Sequence, residues 1–331
     1  MTIRPLREND YDEHAELVYV SYSHGKELPQ GSMLTHRDWW LRSIERDPYY
    51  RPEQTRVMEV DGRLVASVSC YHRPTYVAGR RVDAACIGSV CTHPDHRRQG
   101  YIRQVLVEAA EWMAAQGWEW SFLYGREEIY GGSGWRMLSS FDLIADLGVR
   151  REAGQGLTER RADPERDIPV LSAIYSELCG ELTGPTVRTD AYWRKRVLSP
   201  TPWGETPDYR ILERAGEAIG YFRMEGDAVG EIGWRGRPHD VLAHVLRRAE
   251  GPVSFACFMP EMLPALRDIS EITSQKECFE RAGGIRLRDS YKGLWRHHRV
   301  DEAVVPEVCD TRGLVRFLRE RDYVMWPADK A

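Results

Sequence analysis

The run Val90 Cys91 Thr92 His93 Pro94 Asp95 His96 Arg97 Arg98 Gln99 Gly100 Tyr101 Ile102 has the residue types of an anion-binding turn. A helix start offers backbone N–H groups without helical acceptors, and the positive end of the helix dipole points the same way. A donor-rich turn placed there cradles a pyrophosphate. Gly100 can take the positive φ and permit the close approach that such a turn needs. Arg97 and Arg98 either add positive charge at that place or face solvent.

Two elements must hold this turn. Ahead of it, Ala84 to Cys91 is a short apolar and small-residue run ending at the breaker pair His93 Pro94, which predicts a strand. Behind it, from Ile102 onward, Val105, Leu106, Ala109, Ala110 and Met113 recur on one side of an amphipathic helix. A second apolar run, Trp120 to Tyr124, follows, and then the glycine-rich stretch Tyr130 Gly131 Gly132 Ser133 Gly134 Trp135.

The chain as a whole suits an α/β protein of two ordinary domains, since 331 residues can bury two cores. Its 42% hydrophobic and 29% charged residues fit a soluble globular protein. A net charge of −5, from 46 basic and 51 acidic residues, argues against a nucleic-acid binder with a broad positive face. Seven cysteines, an odd number without C-x-x-C spacing, suit neither a disulfide framework nor a structural zinc site, and no metal is expected. Met1 Thr2 Ile3 Arg4 Pro5 has no apolar signal core, and no apolar stretch is long enough to span a bilayer. The expectation is a reducing, cytoplasmic setting without membrane or nucleic-acid partners.

The chain also repeats itself. Thr2 to Asp10 returns as Thr158 to Asp167, Leu34 to Trp40 as Val187 to Trp193, and Arg56 to Ala66 as Arg210 to Gly220. Each member of the last pair is an apolar run, a glycine-containing turn and a second apolar run, the pattern of a β-hairpin. Arg150 to Gly156 breaks the periodicity between the copies. The predicted division is therefore 1–150, 151–299 and an extension, 300–331, that matches neither copy.

These residues resemble the GNAT N-acetyltransferases, whose acetyl-CoA loop reads Arg or Gln, two residues, Gly, one residue, Gly or Ala. Arg97 and Gly100 match, and Ile102 stands at the last small position. Tyr130, Gly134 and Trp135 match the family's later tyrosine, three residues, glycine and aromatic. More narrowly, His96 to Gly100 and Leu123 to Gly134 resemble the Eis-like (enhanced intracellular survival) acetyltransferases, which join an acetyl-CoA-binding GNAT domain to a degenerate second one. No sterol-carrier-like domain is evident at the end of this chain. The resemblance implies two tandem GNAT folds with mixed, mostly antiparallel sheets flanked by helices. It also implies acetyl transfer from acetyl-CoA to a primary amine by direct attack.

Residue by residue, the resemblance places pantetheine along Val90, Cys91 and Thr92, and pyrophosphate on Arg97, Arg98, Gln99, Gly100, Tyr101 and Ile102. It makes Tyr130 the general acid for the leaving thiolate, since a phenol near pKa ~10 and a thiol near ~8.5 are close enough to exchange a proton. On residue type alone, Tyr130 also reads as a buried tyrosine with a backbone partner. The general base stays open: the strand carries no carboxylate between Ala84 and Thr92, which leaves Asp83 at its start, Glu27 in a loop, or a water chain.

The second copy keeps neither signature, with Arg235 to Asp240 in place of the loop and Phe279, three residues before Gly283, in place of Tyr130. It is expected to scaffold and to wall the acceptor pocket. Trp39 and Trp40 read as core, and Arg194 Lys195 Arg196 as a solvated helix face. In Eis-like proteins the terminal carboxylate lies near the substrate amine; for Ala331 a frayed end is the expectation. The acceptor is read as a small-molecule or peptide amine, and a homo-oligomer as possible. The alternative function is an acyl-CoA-binding or sensing protein without catalysis.

Overall fold

The computed structural model describes residues 1–23, 36–77, 79–256, 259, 261–271 and 284–298. The first half runs β1 (Thr2–Pro5), α1 (Tyr11–Tyr22), α2 (His36–Glu45), β2 (Thr55–Val60), β3 (Arg63–His72), β4 (Thr75–Val77), β5 (Arg80–Val82), β6 (Ala84–Thr92), α3 (Tyr101–Ala115), β7 (Trp120–Tyr124), α4 (Glu127–Tyr130) and β8 (Arg136–Ala145). The second half runs β9 (Leu157–Arg161), α5 (Ile168–Cys179), β10 (Thr183–Thr186), α6 (Asp190–Tyr192), β11 (Tyr209–Arg214), β12 (Glu217–Glu225), β13 (Ala228–Trp234), α7 (His239–Arg248), β14 (Val253–Phe255), α8 (Met262–Ile269) and β15 (Ile285–His297).

Both predicted hairpins form, and their turns show why. Asp61 and Gly62 between β2 and β3 have φ of 50° and 78°, and Ala215 and Gly216 between β11 and β12 have 50° and 82°. Two successive positive φ values make the turn whose twist matches that of the strands it joins. The repeat is also written in side chains. Arg4 bonds Glu59 (2.7 Å) and Asp10 (2.6 Å), and Arg160 bonds Glu213 (2.7 Å) and Asp167 (2.5 Å) at the corresponding places.

Among the described residues, twelve strands make one sheet in the order β1-β2-β3-β6-β7-β15-β8-β14-β13-β12-β11-β9. Among the described strands only β6–β7 and β13–β14 pair in parallel, so the sheet is mixed and mostly antiparallel, as expected. The sheet does not divide at the junction near residue 150. β15, late in the second half, lies between β7 and β8 and pairs antiparallel with both, and β8 pairs in turn with β14. Read from either end, the sheet presents the same succession of elements, with the two halves exchanging their last strands. A smaller sheet, β10-β4-β5, joins the halves a second time.

Helices cover the first half of the sheet on both faces. The five apolar positions of α3 that the periodicity picked out, Val105, Leu106, Ala109, Ala110 and Met113, are all buried against β2, β3, β6 and β7. On the other face α1 and α2 bury Ala15, Leu17, Val18, Trp40 and Ile44. No described helix is long and apolar enough to cross a membrane.

Candidate functional site

β6 and β7 form a fork. Their parallel register runs from Ala84 opposite Trp120 to Ile87 opposite Leu123 and then stops. Beyond it, among the described residues, β6 keeps only its β3 partner, with Gly88 opposite Ser69 and Cys91 opposite Ser67. Three steps on β6 there match two on β3, so one extra residue is accommodated, and Ser89 takes a φ of 47°. Such a bulge bends its strand and re-aims its side chains. Among the described residues the stretch Gly88–Thr92 therefore has no ladder partner on its β7 side, and an extended chain could bond to it there.

The turn after the fork closes through its own residues. Arg97 donates from Nη2 to the Ser21 carbonyl (3.0 Å) and from Nε to that of Thr92 (3.4 Å), so it ties the turn to the end of α1. Arg98 and Gly100 sit at φ of 63° and 75°, and α3 starts at Tyr101. The N–H groups of Gly100, Tyr101, Ile102 and Arg103 have no acceptor inside the helix and lie at its positive end. Nothing stands within 4 Å of where a Cβ on Gly100 would be, so conformation and not crowding selects glycine there. Ile102 packs on the core beneath α3, which turns its bulk away from the turn. Arg98 and Gln99 are exposed.

Tyr130 closes the other prong. It ends α4 and, like Val90 and Ile102, packs against the core beneath α3. Its ring lies so near Gly125 that a Cβ there would stand 2.4 Å from Cε2. Trp135 is fully buried and donates from Nε1 to Ser121 Oγ (3.1 Å), which anchors the strand after the tyrosine. Among the described residues the Tyr130 hydroxyl has no hydrogen-bond partner. Burial pushes its pKa up, a nearby Cys91 adds to the rise, and Arg126 opposes it, so the phenol holds its proton at neutral pH. Burial also pushes the Cys91 thiol up to about 12, which suits a small core residue and not a nucleophile. The ring of Tyr22 is exposed while its hydroxyl turns inward and donates to the Val90 carbonyl (2.9 Å).

On the α1–α2 side of β6 lies a cavity of about 610 Å³. Tyr19, Tyr22, Trp39, Trp40 and Tyr71 make aromatic walls, and Gly88 and Ser89 at the bulge open onto it. The far wall comes from the second half: Arg196, Pro202 and Trp203. Arg46 at the end of α2 donates to the Arg196 carbonyl (2.7 Å) and to Ser199 Oγ (3.1 Å), which fixes the two walls together. Trp40 is buried, in line with the sequence expectation, yet it and Trp39 also line the cavity. For Arg196 the solvated-face expectation fails. Leu198 N bonds the Trp193 carbonyl five residues back (2.9 Å), a wide turn over Trp193–Val197 that leaves Arg194 and Lys195 exposed and brings Arg196 to the cavity. Ordinary helical spacing could not have shown this.

Asp83 lies far along β6 from the bulge and bonds His72 (3.0 Å). Among the described residues no group of three or more His, Cys, Asp or Glu side chains could hold a metal. Glu27, Phe279, Gly283 and 300–331 lie outside the described residues.

The family model for an acetyltransferase (GNAT) domain matches residues 2–138. The fork, the turn and Tyr130 all lie within that stretch. No curated protein sequence matches the chain. In fold, the chain is similar to a GCN5-related N-acetyltransferase from Anabaena variabilis, at 14% identity and a TM-score of 0.65, covering 90% of this chain and 73% of that one. It is also similar to a GCN5-related N-acetyltransferase from Kribbella flavida (16%, TM-score 0.65, 89% and 70%) and to Eis1 from Mycobacterium abscessus (16%, TM-score 0.61, 89% and 73%). The likeness in fold thus runs well past residues 2–138 and into the second half.

Proposed function

We propose that this protein is an N-acetyltransferase that moves an acetyl group from acetyl-CoA to a primary amine, with its one acetyl-CoA site in residues 1–150. The observation that carries this reading is the fork between β6 and β7, with a helix-start anion turn at one end and the protonated phenol of Tyr130 beside it. When bound, acetyl-CoA supplies an acetyl group activated as a thioester. The backbone of Val90, Cys91 and Thr92 would hold the pantetheine as an added strand and polarise the acetyl carbonyl. The N–H groups of Gly100, Tyr101 and Ile102, with Arg98 and Gln99 beside them, would hold the pyrophosphate. Arg97 would act by fixing the turn. Tyr130 would donate its hydroxyl proton to the departing sulfur.

The second half reads as a degenerate GNAT domain that scaffolds and walls the cavity. Glu231 stands opposite Arg223 on β12, much as Gly88 stands opposite Ser69 on β3. Where Gly88 opens onto a cavity, Glu231 is buried and bonded twice by Arg188 (2.7 and 3.0 Å) and by the Tyr209 and Tyr221 hydroxyls (2.9 Å each). The first turn of α7 holds the Asp240 carboxylate, paired with Arg214 (2.9 Å), where an anion would otherwise sit. A second reading, acyl-CoA binding without transfer, draws on the cavity, whose described lining has no carboxylate to take the amine proton.

Calorimetric titration with acetyl-CoA tests the first reading. One site per chain is expected, together with release of free thiol when an amine acceptor is added. Two sites would defeat the degeneracy of the second half. Binding without thiol release across a broad amine panel would favour the second reading.

A further inference from the structure

An alkylamine, with a pKa of ~10.4, reaches the cavity as an ammonium ion, and the described lining holds no carboxylate to take its proton. Ser89 and Tyr71 both line the cavity beside the bulge, and their hydroxyls stand 3.2 Å apart. They are the inner end of a line of hydroxyl groups. Tyr71 also bonds Ser69, two residues back on the same face of β3. Ser69 Oγ lies 2.9 Å from Oγ1 of Thr55, its register partner on β2, and Thr55 Oγ1 lies 3.4 Å from the Tyr50 hydroxyl. Tyr50 bonds Tyr11, which feels the charges of the exposed Glu8 and Glu53. The line thus runs from the cavity to the surface on the α1–α2 side of the sheet, by way of Ser69 and Thr55, which are fully buried.

We propose that the hydroxyls of Ser89, Tyr71, Ser69, Thr55, Tyr50 and Tyr11 form a relay that carries the acceptor's ammonium proton from the cavity to water beside Glu8 and Glu53. The proposal rests on the acetyltransferase reading, in which the relay fills the place of the general base. Burial raises the pKa of Tyr71, Tyr50 and Tyr11, so each keeps its proton at neutral pH and can accept one hydrogen bond while donating another. No member of the line stores the proton; each takes one and gives up its own. Ser89 Oγ takes a proton from the ammonium, and Tyr11 releases one to water. The nitrogen lone pair so freed forms the N–C bond at the thioester carbonyl, the C–S bond breaks with its electron pair on sulfur, and sulfur takes the Tyr130 proton. A second proton leaves the nitrogen and makes good the one lost by Tyr130, so the net release is one proton per turnover. Hydroxyls can satisfy one another without conducting, but a line that only braces the fold has no need to begin in a cavity and end beside surface carboxylates.

The relay can be cut away from the cavity. Thr55→Val and Tyr50→Phe each remove one hydroxyl from the full chain, and Thr55→Ser keeps it; Tyr50→Phe carries the test alone if Thr55→Val does not fold. The acceptor is whichever of benzylamine, spermidine and L-lysine the wild type acetylates fastest, followed by thiol release. Both cuts should lower kcat/KM at pH 7 by about ten-fold or more, with acetyl-CoA affinity unchanged. The loss should narrow to about two-fold near pH 10, where much of an alkylamine arrives already deprotonated. Thr55→Ser should restore the wild-type profile. In the protein without ligands, the carbon-13 signal of Tyr71 Cζ, which reports the hydrogen bonding of its hydroxyl, should move in Thr55→Val and return in Thr55→Ser. A loss equal at every pH, full activity at pH 7 in Tyr50→Phe, or an unmoved Tyr71 signal overturns the relay and leaves the acetyltransferase reading standing. A wild type that releases no thiol with any of these amines instead defeats that reading, and the relay falls with it.

Discussion

At the scale of single residues, the proposed mechanism turns on Tyr130. Its phenol is held neutral by burial and has no described partner to compete for the proton, as the proposed donor role requires. Tyr130→Phe should lower turnover by roughly 10²-fold or more while acetyl-CoA affinity stays within two-fold or so, the pattern of an interaction made only in the transition state. Steady-state rates beside calorimetric affinity check this, and unchanged turnover would remove the role. Gly125 offers an independent approach. A methyl group there would meet the Tyr130 ring at 2.4 Å, and the ring is the part able to move. Gly125→Ala should therefore cost turnover about ten-fold or more through misplacement, with little loss of thermal stability. The spacing of Tyr130 to Gly134 and Trp135 could be read in the sequence because it is local. Arg46 and Arg196 were not, because what unites them is a hydrogen bond across 150 residues and a wide turn that no periodicity reports.

At the scale of elements, the turn and its helix were the most legible part of the chain. A breaker pair, a glycine and five apolar positions at helical spacing leave few alternatives, and α3 buries all five. Gly100→Ala should strain a residue held at φ of 75° by about 1 kcal/mol and weaken acetyl-CoA binding, with acceptor affinity unaffected. Differential scanning calorimetry and titration would separate the two effects. The bulge at Ser89 escaped the sequence, since it is a mismatch of register between two strands and neither strand alone encodes it. The paired arginines of β1 and β9 set the pH response. Hydrogen bonds from Arg4 hold Asp10 below its ordinary pKa. Burial would raise Asp167 and Asp47, but bonds from Arg160 and the charge of Arg73 outweigh it and leave both lowered. A lowered carboxylate stabilises the fold above its unfolded value near ~3.9 and loses that contribution as pH falls through its folded value. Melting temperature should thus be level between about pH 5 and 8 and fall below about pH 4. A melting temperature that rises on acidification would contradict these pairings.

At the scale of the molecule, the repeat in the sequence foretold two copies of one unit but not how they join. The hairpins, the arginine triads and the order of elements all recur, and this much is local pattern. The exchange of β8 and β15 is not, because a strand's own sequence carries no mark of which neighbour it will choose. The exchange predicts that a fragment of residues 1–150 will lack a stable fold, since β7 and β8 would face each other across the gap that β15 fills. Circular dichroism melting of that fragment should show no cooperative transition, and a sharp one would show that the halves are autonomous.

The same exchange reaches back to how the protein is made. When Ala145 leaves the ribosome, the edge of β7 is complete but unpaired, and its neighbour, Ile285–His297, is still untranslated. At ordinary elongation rates of about 5–20 residues per second, that edge waits roughly 7 to 30 seconds for its strand. Throughout the wait it can accept any other extended segment, including the same edge of a sister chain on a neighbouring ribosome. Such a chain would do best where translation is fast between these codons, or where a chaperone covers the nascent first half until the second arrives.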